Sequence, residues 1–279
     1  MINCKYLNYN EVISFGTIAN EKNNPAKTTL QGIRTRIAGC YTEYLNRFAT
    51  LVNKTNSEFN VSETDEKAAL RLCYSSPTKS FEFIKGKIFA EQPNQLKQLC
   101  PYCLINSPKT LDHYIGQAEF PEFAILIRNL IPACFDCNNK KGENWRKNRT
   151  RRFIHFHNDN FLNHKFLFAR LIYRRGKAIP EICFFLNKPA AMTIDEFRLV
   201  KFHFKDFALL AEYNGKANTI LSSEISIIQQ AKARGNSMLM IKANLLDRGT
   251  ILARDYGVNY WSAVLYQTLE GNYRFLNSV

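Results

Sequence analysis

Two pairs of cysteines have a spacing that suits a metal site. Cys100 and Cys103 form one Cys-x₂-Cys pair, Cys134 and Cys137 form a second, and thirty residues separate the two pairs. Each pair turns the chain so that both sulfurs face one ion, and four such thiolates bind structural Zn²⁺ tetrahedrally. We therefore predict one structural zinc site. The remaining cysteines have no partner at ligand spacing, and we interpret them as core thiols: Cys4, Cys40, Cys73 and Cys183.

The segment between and after these pairs carries polar residues that a zinc site does not need. Asp112 precedes His113, Asn129 follows sixteen residues later, and Asn138 and Asn139 come directly after the last cysteine. An imidazole with a pKa of about 6.5 suits a general base at neutral pH. Carboxylate and amide oxygens suit Mg²⁺ or Mn²⁺. An isolated Asp-His pair is more often a surface pair, so the interpretation depends on the flanking cysteines.

The order Cys-x-x-Cys, Asp-His, Asn, Cys-x-x-Cys-Asn-x-x-Lys over residues 100–143 resembles the HNH endonucleases, which have a ββα-metal active site. The resemblance implies metal-dependent hydrolysis of phosphodiester bonds, with His113 as the general base. It implies that Asn129 completes the catalytic group by bracing the loop that bears His113. Asp112 and Asn138 would then hold one catalytic ion, Mg²⁺ or Mn²⁺, separate from the zinc, with Asn139 as the alternative to Asn138.

The net charge of the chain indicates a polyanionic partner. It is +14, from 38 basic and 24 acidic residues, and such a surplus is typical of proteins that bind nucleic acid. Trp145 has two open interpretations, stacking on a base or packing in the core. We interpret His155 and His157 as one polar face of a strand or as phosphate contacts. Seven basic residues lie in one short run and are expected to contact phosphates: Lys140, Lys141, Arg146, Lys147, Arg149, Arg151 and Arg152.

Helices are expected to precede this segment. Apolar residues recur at helical spacing over residues 29–52, from Ser62 and Asp65 onward, and over residues 78–90. The polar stretch 91–95 interrupts the pattern. These features predict a helical region at 1–95, followed by a zinc-stapled ββα module at 96–152.

The remainder, residues 153–279, is predicted to hold a β-hairpin and more helices. Two apolar runs, 166–173 and 179–186, flank a turn at 174–178. A capping box at Thr193–Glu196 opens a long helix, residues 217–246 repeat helical spacing, and a last helix starts near Asn259. The expected fold class is therefore α+β, mainly helical, with the ββα module flanked by helical regions and a hairpin.

The function we expect is hydrolysis of DNA by an HNH endonuclease. Residues 120–134 resemble a subgroup linked to bacterial anti-phage defence, so the expected role is a defence effector. Two alternatives stay open: an RNA-cleaving nuclease, and a non-catalytic zinc module that binds nucleic acid. A further possibility is an effector subunit that is inactive until a protein partner such as an ATPase engages it. The oligomeric state is not predicted. A cytoplasmic location without membrane contact is expected, because no apolar run reaches the length of a membrane span and the N-terminus does not resemble a signal peptide.

Overall fold

The computed structural model describes residues 1–60, 64–176 and 179–279. They form two compact units, one consisting of Cys4–Asn158 and the other of Met1–Asn3 with Asp159–Val279. Helices dominate, and the described strands form three two-stranded antiparallel sheets. This confirms the predicted α+β, mainly helical class. The domain boundaries predicted at 95/96 and 152/153 stay a prediction. None of the described helices is long and apolar enough to cross a bilayer.

The first unit begins with helices that surround a buried core. The predicted helix over 29–52 is in fact interrupted, because the chain leaves helical geometry at Ile33 (φ −95°, ψ 1°) and tightens to a 3₁₀ turn at Phe48–Asn53. The helix at 78–90 is confirmed, and Thr78 caps it. Ser62 lies outside the described residues, and the helix predicted there begins at Asp65. The helices of this region are α1 (Glu11–Glu21), α2 (Ala26–Gly32), α3 (Arg34–Arg47), α4 (Asp65–Ser75), α5 (Lys79–Ala90) and α6 (Asn94–Gln98).

A ββα element follows these helices, as predicted. Strand β1 (Thr110–His113) pairs antiparallel with β2 (Leu130–Ala133), so that Asp112 lies opposite Ile131 and His113 opposite Leu130. Helix α7 (Phe135–Lys141) starts immediately after β2 and packs on β1. Successive side chains of a strand point to opposite faces. Asp112 and His113 therefore point to opposite faces of the small sheet.

The basic run after α7 folds into a tight hairpin. Strands β3 (Arg146–Lys147) and β4 (Thr150–Arg151) pair antiparallel across a two-residue turn. Both turn residues, Asn148 and Arg149, have positive φ (50° and 57°), which is the backbone geometry of the commonest two-residue hairpin turn. The turn presents Arg149 to solvent.

The second unit contains the predicted hairpin and a set of helices. Strand β5 (Leu167–Ile172) pairs antiparallel with β6 (Glu181–Leu186), which confirms the hairpin, although Lys177 and Ala178 of its turn lie outside the described residues. The capping box at Thr193 is confirmed. The helix that it opens ends at Asp206, because Ala208 adopts left-handed geometry (φ 57°), although the apolar spacing continues through Phe207 and Leu210. The helices are α8 (Ile194–Asp206), α9 (Leu209–Ala233), α10 (Met238–Tyr256), α11 (Trp261–Glu270) and α12 (Tyr273–Ser278).

Candidate active site and zinc site

The four cysteines of the two Cys-x₂-Cys pairs lie together. Their sulfurs are all within 4.8 Å of one another, all four residues are buried, and Sγ of Cys103 is 3.9 Å from Sγ of Cys134. A tetrahedral zinc ion with Zn–S bonds of about 2.3 Å places its sulfurs about 3.8 Å apart. The donor set and its dimensions therefore fit a structural zinc ion, as the spacing predicted.

Local backbone geometry brings each pair to the cluster. In the first pair, the N–H of Leu104 donates to the carbonyl of Cys100 (2.7 Å), and Leu104 takes a positive φ of 53° to close the turn. In the second pair, Cys134 is the N-cap of α7 and its sulfur accepts from the N–H of Cys137 (3.5 Å). Hydrogen bonds among the four thiols hold the pKa of Cys103 and Cys134 below the usual value, while burial and the same hydrogen bonds raise the pKa of Cys100 and Cys137. Thiolate is the form that binds metal.

Asp112 is buried and already has two partners. One carboxylate oxygen lies 3.0 Å from Nζ of Lys141, and the other accepts from the hydroxyl of Tyr102 at 2.6 Å. Lys141 is fully buried, and its ammonium also donates to the carbonyls of His113 (2.7 Å) and Gly142 (3.2 Å). The basic run predicts a phosphate contact for Lys141. In the structure its charge is used inside the protein, to hold the acid at the end of β1.

His113 lies on the opposite face of β1 and is 8% exposed. Its Nε2 is 2.9 Å from the carbonyl oxygen of Ala124, and its ring packs edge-on against Tyr74 at a centroid distance of 4.3 Å. A carbonyl only accepts, so Nε2 carries the proton and Nδ1 of the neutral ring carries the lone pair. Burial lowers the pKa of His113 to about 4, so the imidazole is neutral at pH 7.

Asn129 is fully buried, and its side-chain amide bonds two parts of the connection between β1 and β2. Its Oδ1 accepts from the N–H of Ile115 (2.8 Å), while its Nδ2 donates to the carbonyls of Ile115 (3.0 Å) and Phe123 (3.1 Å). Its own carbonyl accepts from the N–H of Tyr114 (2.8 Å). The amide thus ties the residues after His113 to the residues before Ala124, and it has no exposed atom with which to contact a substrate.

The two adjacent asparagines on α7 have different surroundings. Asn138 is half-buried, and its Nδ2 donates to the hydroxyl of Thr110 on β1 at 3.0 Å. Thr110 and Asp112 lie on the same face of the strand, because they are two residues apart. Asn139 is exposed. Of the two, Asn138 therefore faces the strand that carries Asp112.

The basic run divides into internal and external members. Arg146, like Lys141, is tied inside the fold, where its guanidinium donates to the carbonyl of Val52 (2.8 Å) and contacts Glu119. The side chains of Arg151 and Arg152 are half-buried. The members with exposed side chains are Lys140, Lys147 and Arg149.

Three aromatic residues that the sequence left open are internal. Trp145 is buried and its indole N–H donates to Glu119 (3.0 Å), so it packs in the core. His155 is fully buried beside Tyr44, and His157 is half-buried. Burial lowers the pKa of His157 to about 4. Neither histidine belongs to a group of His, Cys, Asp or Glu that could hold a metal among the described residues.

The sequence did not indicate the contacts of Tyr102 with Asp112 and of Tyr74 with His113, the contact of Tyr44 with Asn129, or the buried position of Lys141. One signal was present. Lys141 follows Asn138 by three residues on a helix, and residues at that spacing share a face. The tyrosines carried no comparable signal, since each reaches the site through the tertiary fold.

Comparison with known proteins supports the assignment of this segment. The sequence model of the HNH endonuclease family matches residues 100–144, which include all four zinc-site cysteines and the Asp-His pair. Protein ea31 of Escherichia phage lambda is 27% identical over 195 residues, which cover 64% of this chain and 64% of that protein. The chain thus spans just under two thirds of that relative. No solved structure matches the chain significantly. The HNH resemblance of residues 100–144 is confirmed, and the defence subgroup stays a prediction.

Proposed function

We propose that the chain is a metal-dependent endonuclease that hydrolyses phosphodiester bonds in DNA. The observation that carries the proposal is the state of His113, a buried, neutral imidazole whose Nε2 is fixed by the carbonyl of Ala124. It lies at the end of β1 in a ββα element that the HNH family matches. A nuclease needs a base of this kind to activate water, and a binding module does not.

His113 acts as the base through Nδ1. The described residues supply no hydrogen-bond partner to that atom, so a water molecule can donate to it. As the water attacks the phosphorus, its proton passes to Nδ1, the P–O bond to the leaving sugar oxygen breaks, and that oxygen takes a proton from a solvent water. The Nε2–H bond to Ala124 then stabilises the imidazolium that forms, because a carbonyl dipole favours the charged ring.

Asp112 and Asn138 fit a divalent cation by donor chemistry. A carboxylate has about four lone-pair sites, of which Lys141 and Tyr102 use two, and an amide oxygen is a hard ligand of the same kind. Nδ2 of Asn138 is committed to Thr110, which leaves Oδ1 as its ligand atom. A bound Mg²⁺ or Mn²⁺ would stabilise negative charge on the phosphoryl oxygens. Asn129 contributes by positioning the loops around His113.

The exposed cations near α7 are proposed to bind the phosphate backbone of the substrate. Lys140 on α7 and Lys147 and Arg149 on the β3–β4 hairpin combine exposure with positive charge in one short segment. Arg151 and Arg152 can add to this surface with their exposed parts. These residues would position the duplex without reading its sequence.

Cleavage of supercoiled plasmid, linear DNA and structured RNA in the presence of Mg²⁺ or Mn²⁺ tests the proposal. We expect nicking of the plasmid by the wild type and its loss on metal removal and in His113→Ala, compared at equal zinc content. Cleavage of the RNA and of neither DNA would identify RNA as the substrate. Tight, salt-sensitive binding by both proteins without any cleavage would support the non-catalytic module instead.

A cytoplasmic role as a bacterial defence effector is the wider hypothesis. Four thiolates that bind zinc are favoured by a reducing compartment, which supports the location, and the resemblance of residues 120–134 supports the role. A protein partner such as an ATPase would then gate the activity. Full nicking activity of the isolated chain would argue against such gating.

A further inference from the structure

A line of hydrogen bonds connects Asn129 to residues far from it in the sequence. Nε2 of His155 lies 2.9 Å from the hydroxyl of Tyr44 on α3, and that hydroxyl lies 3.2 Å from Oδ1 of Asn129. All three residues are fully buried. Tyr44 is 85 residues before Asn129, and His155 is 26 residues after it.

The donor and acceptor atoms of each group determine which group donates in each of these hydrogen bonds. The backbone N–H of His157 donates to Nδ1 of His155 (3.2 Å), so Nδ1 is the bare nitrogen and Nε2 carries the proton. Nε2–H therefore donates to the oxygen of Tyr44. The proton of Tyr44 is then directed to Oδ1 of Asn129, with the carbonyl of Arg128 at 3.5 Å as a weaker acceptor. Burial keeps the pKa of His155 well below its usual value, which preserves this neutral arrangement.

Asn129 connects this line of hydrogen bonds to two segments that position His113. Its side chain bonds both polar backbone atoms of Ile115, two residues after His113. It also bonds the carbonyl of Phe123, whose neighbour Ala124 orients the imidazole. Because Tyr44 donates to Oδ1, it helps to hold the amide in the one orientation that satisfies all of these groups. A reversed amide would point N–H groups at the N–H of Ile115.

We infer that Tyr44 and His155 are positioning residues for the His113 base, so that helix α3 and the segment after β4 are functional parts of the nuclease site. This inference rests on the proposed function. Removal of the Tyr44 hydroxyl takes away its hydrogen bonds to Nε2 of His155 and to Oδ1 of Asn129, and so loosens the Asn129 amide.

The test compares Tyr44→Phe with Tyr41→Phe. Both tyrosines lie on α3 and are buried, and each change removes one hydroxyl. The Tyr41 hydroxyl has no hydrogen-bond partner among the described residues. We expect Tyr44→Phe to lower kcat roughly tenfold to hundredfold, in line with small displacements of a catalytic group, and to change KM by less than about twofold. Tyr41→Phe should leave both constants unchanged.

A second pair of variants distinguishes loss of the hydrogen bond from a general loss of folding. The amide of His155→Gln can replace the donor to Tyr44, whereas His155→Leu has a similar volume and no donor. We expect His155→Gln to retain a kcat several-fold higher than that of His155→Leu. Equal kcat values for these two variants would contradict a role through the hydrogen bond.

Amide hydrogen exchange separates this inference from the proposed nuclease activity. In Tyr44→Phe, and not in Tyr41→Phe, exchange at the amides of Tyr114 and Ile115 should accelerate about tenfold. If the wild type cuts no substrate and this acceleration is seen, the proposed function fails while the positioning of the loop stands. If kcat and the exchange rates of Tyr44→Phe equal those of Tyr41→Phe, the inference is overturned.

Discussion

Replacement of Lys141 by methionine should destabilise the fold rather than weaken binding to nucleic acid. The Lys141 ammonium is fully buried and lies 3.0 Å from a carboxylate oxygen of Asp112, which is itself only 2% exposed. It also donates to two backbone carbonyls. Lys141→Met keeps most of the side-chain volume but removes the charge, so Asp112 is left buried with Tyr102 as its partner among these groups.

The magnitude follows from the geometry. At 3.0 Å and an effective dielectric constant of about 20, the Coulomb attraction between the two charges is about 5.5 kcal/mol. In the intact pair, the free energy needed to remove both charges from water offsets much of this attraction. When one partner of a buried pair is removed, the other charge stays buried and uncompensated, which destabilises the fold by about 3 to 5 kcal/mol. We therefore expect Lys141→Met to lower the free energy of unfolding by about 3 to 5 kcal/mol.

Urea denaturation followed by circular dichroism measures this change. Lys140→Met is the matched control, since Lys140 is the preceding residue on α7 and is exposed, and it should shift the free energy of unfolding by less than about 0.5 kcal/mol. The double variant Asp112→Asn/Lys141→Met should be more stable than Lys141→Met, because it removes the uncompensated charge.

Two results would contradict a structural role of the Lys141 charge. One is an unfolding free energy of Lys141→Met within about 0.5 kcal/mol of the wild type, together with a lower affinity for DNA and a smaller salt dependence, as a phosphate contact predicts. The other is a double variant less stable than Lys141→Met, which would mean that the charge of Asp112 is not the group left uncompensated.

Other consequences follow from the same structure. Zinc removal by a chelator, or Cys134→Ser, should unfold the segment around the cluster, detected as loss of protected amides together with loss of one zinc per chain. With the pKa of His113 at about 4, the single-turnover cleavage rate at pH 5.5 should stay within about twofold of the rate at pH 7.5. A base with the usual imidazole pKa of about 6.5 would instead lower the rate about tenfold between these two pH values. Because the pKa of His113 is lower in the folded state, the unfolded state takes up the proton first as pH falls. The contribution of His113 to the free energy of unfolding is therefore lost as pH falls from about 6.5 towards 4. His113→Asn should make the free energy of unfolding less dependent on pH in that window. Arg149→Ala should reduce the salt slope of DNA binding by about 1 without loss of stability, whereas Arg146→Ala should lower the unfolding free energy by roughly 1 to 3 kcal/mol, because it removes the partner of buried carbonyls.

The turns of the two cysteine pairs and the hairpin of the second unit were predictable because local spacing determines them. A Cys-x₂-Cys pair specifies its own turn, and a run of apolar residues on each side of a glycine-containing turn specifies antiparallel pairing. The helix boundaries at Ile33 and Ala208 were not predictable in the same way. Both positions continue the apolar spacing of the helices around them, and the breaks are visible only in the backbone angles.

The arrangement around the Asp-His pair was only partly predictable. The residue types at Asp112, His113 and Asn129 indicate the chemistry, but the burial of Lys141 depends on a carboxylate 29 residues earlier. A lysine in a basic run is normally solvated, so charge patterning alone favours the surface. The contribution of Tyr44 depends on a still longer separation, since a lone buried tyrosine has no sequence pattern that indicates its partner.

The most direct test of the proposed mechanism compares the single-turnover cleavage rate of plasmid DNA by the wild type with that by His113→Ala, at equal zinc content and saturating Mn²⁺. A general base contributes about 10² to 10⁴ in rate, so we expect a loss of that size with plasmid affinity retained. Equal rates in the two proteins would show that His113 is not the base.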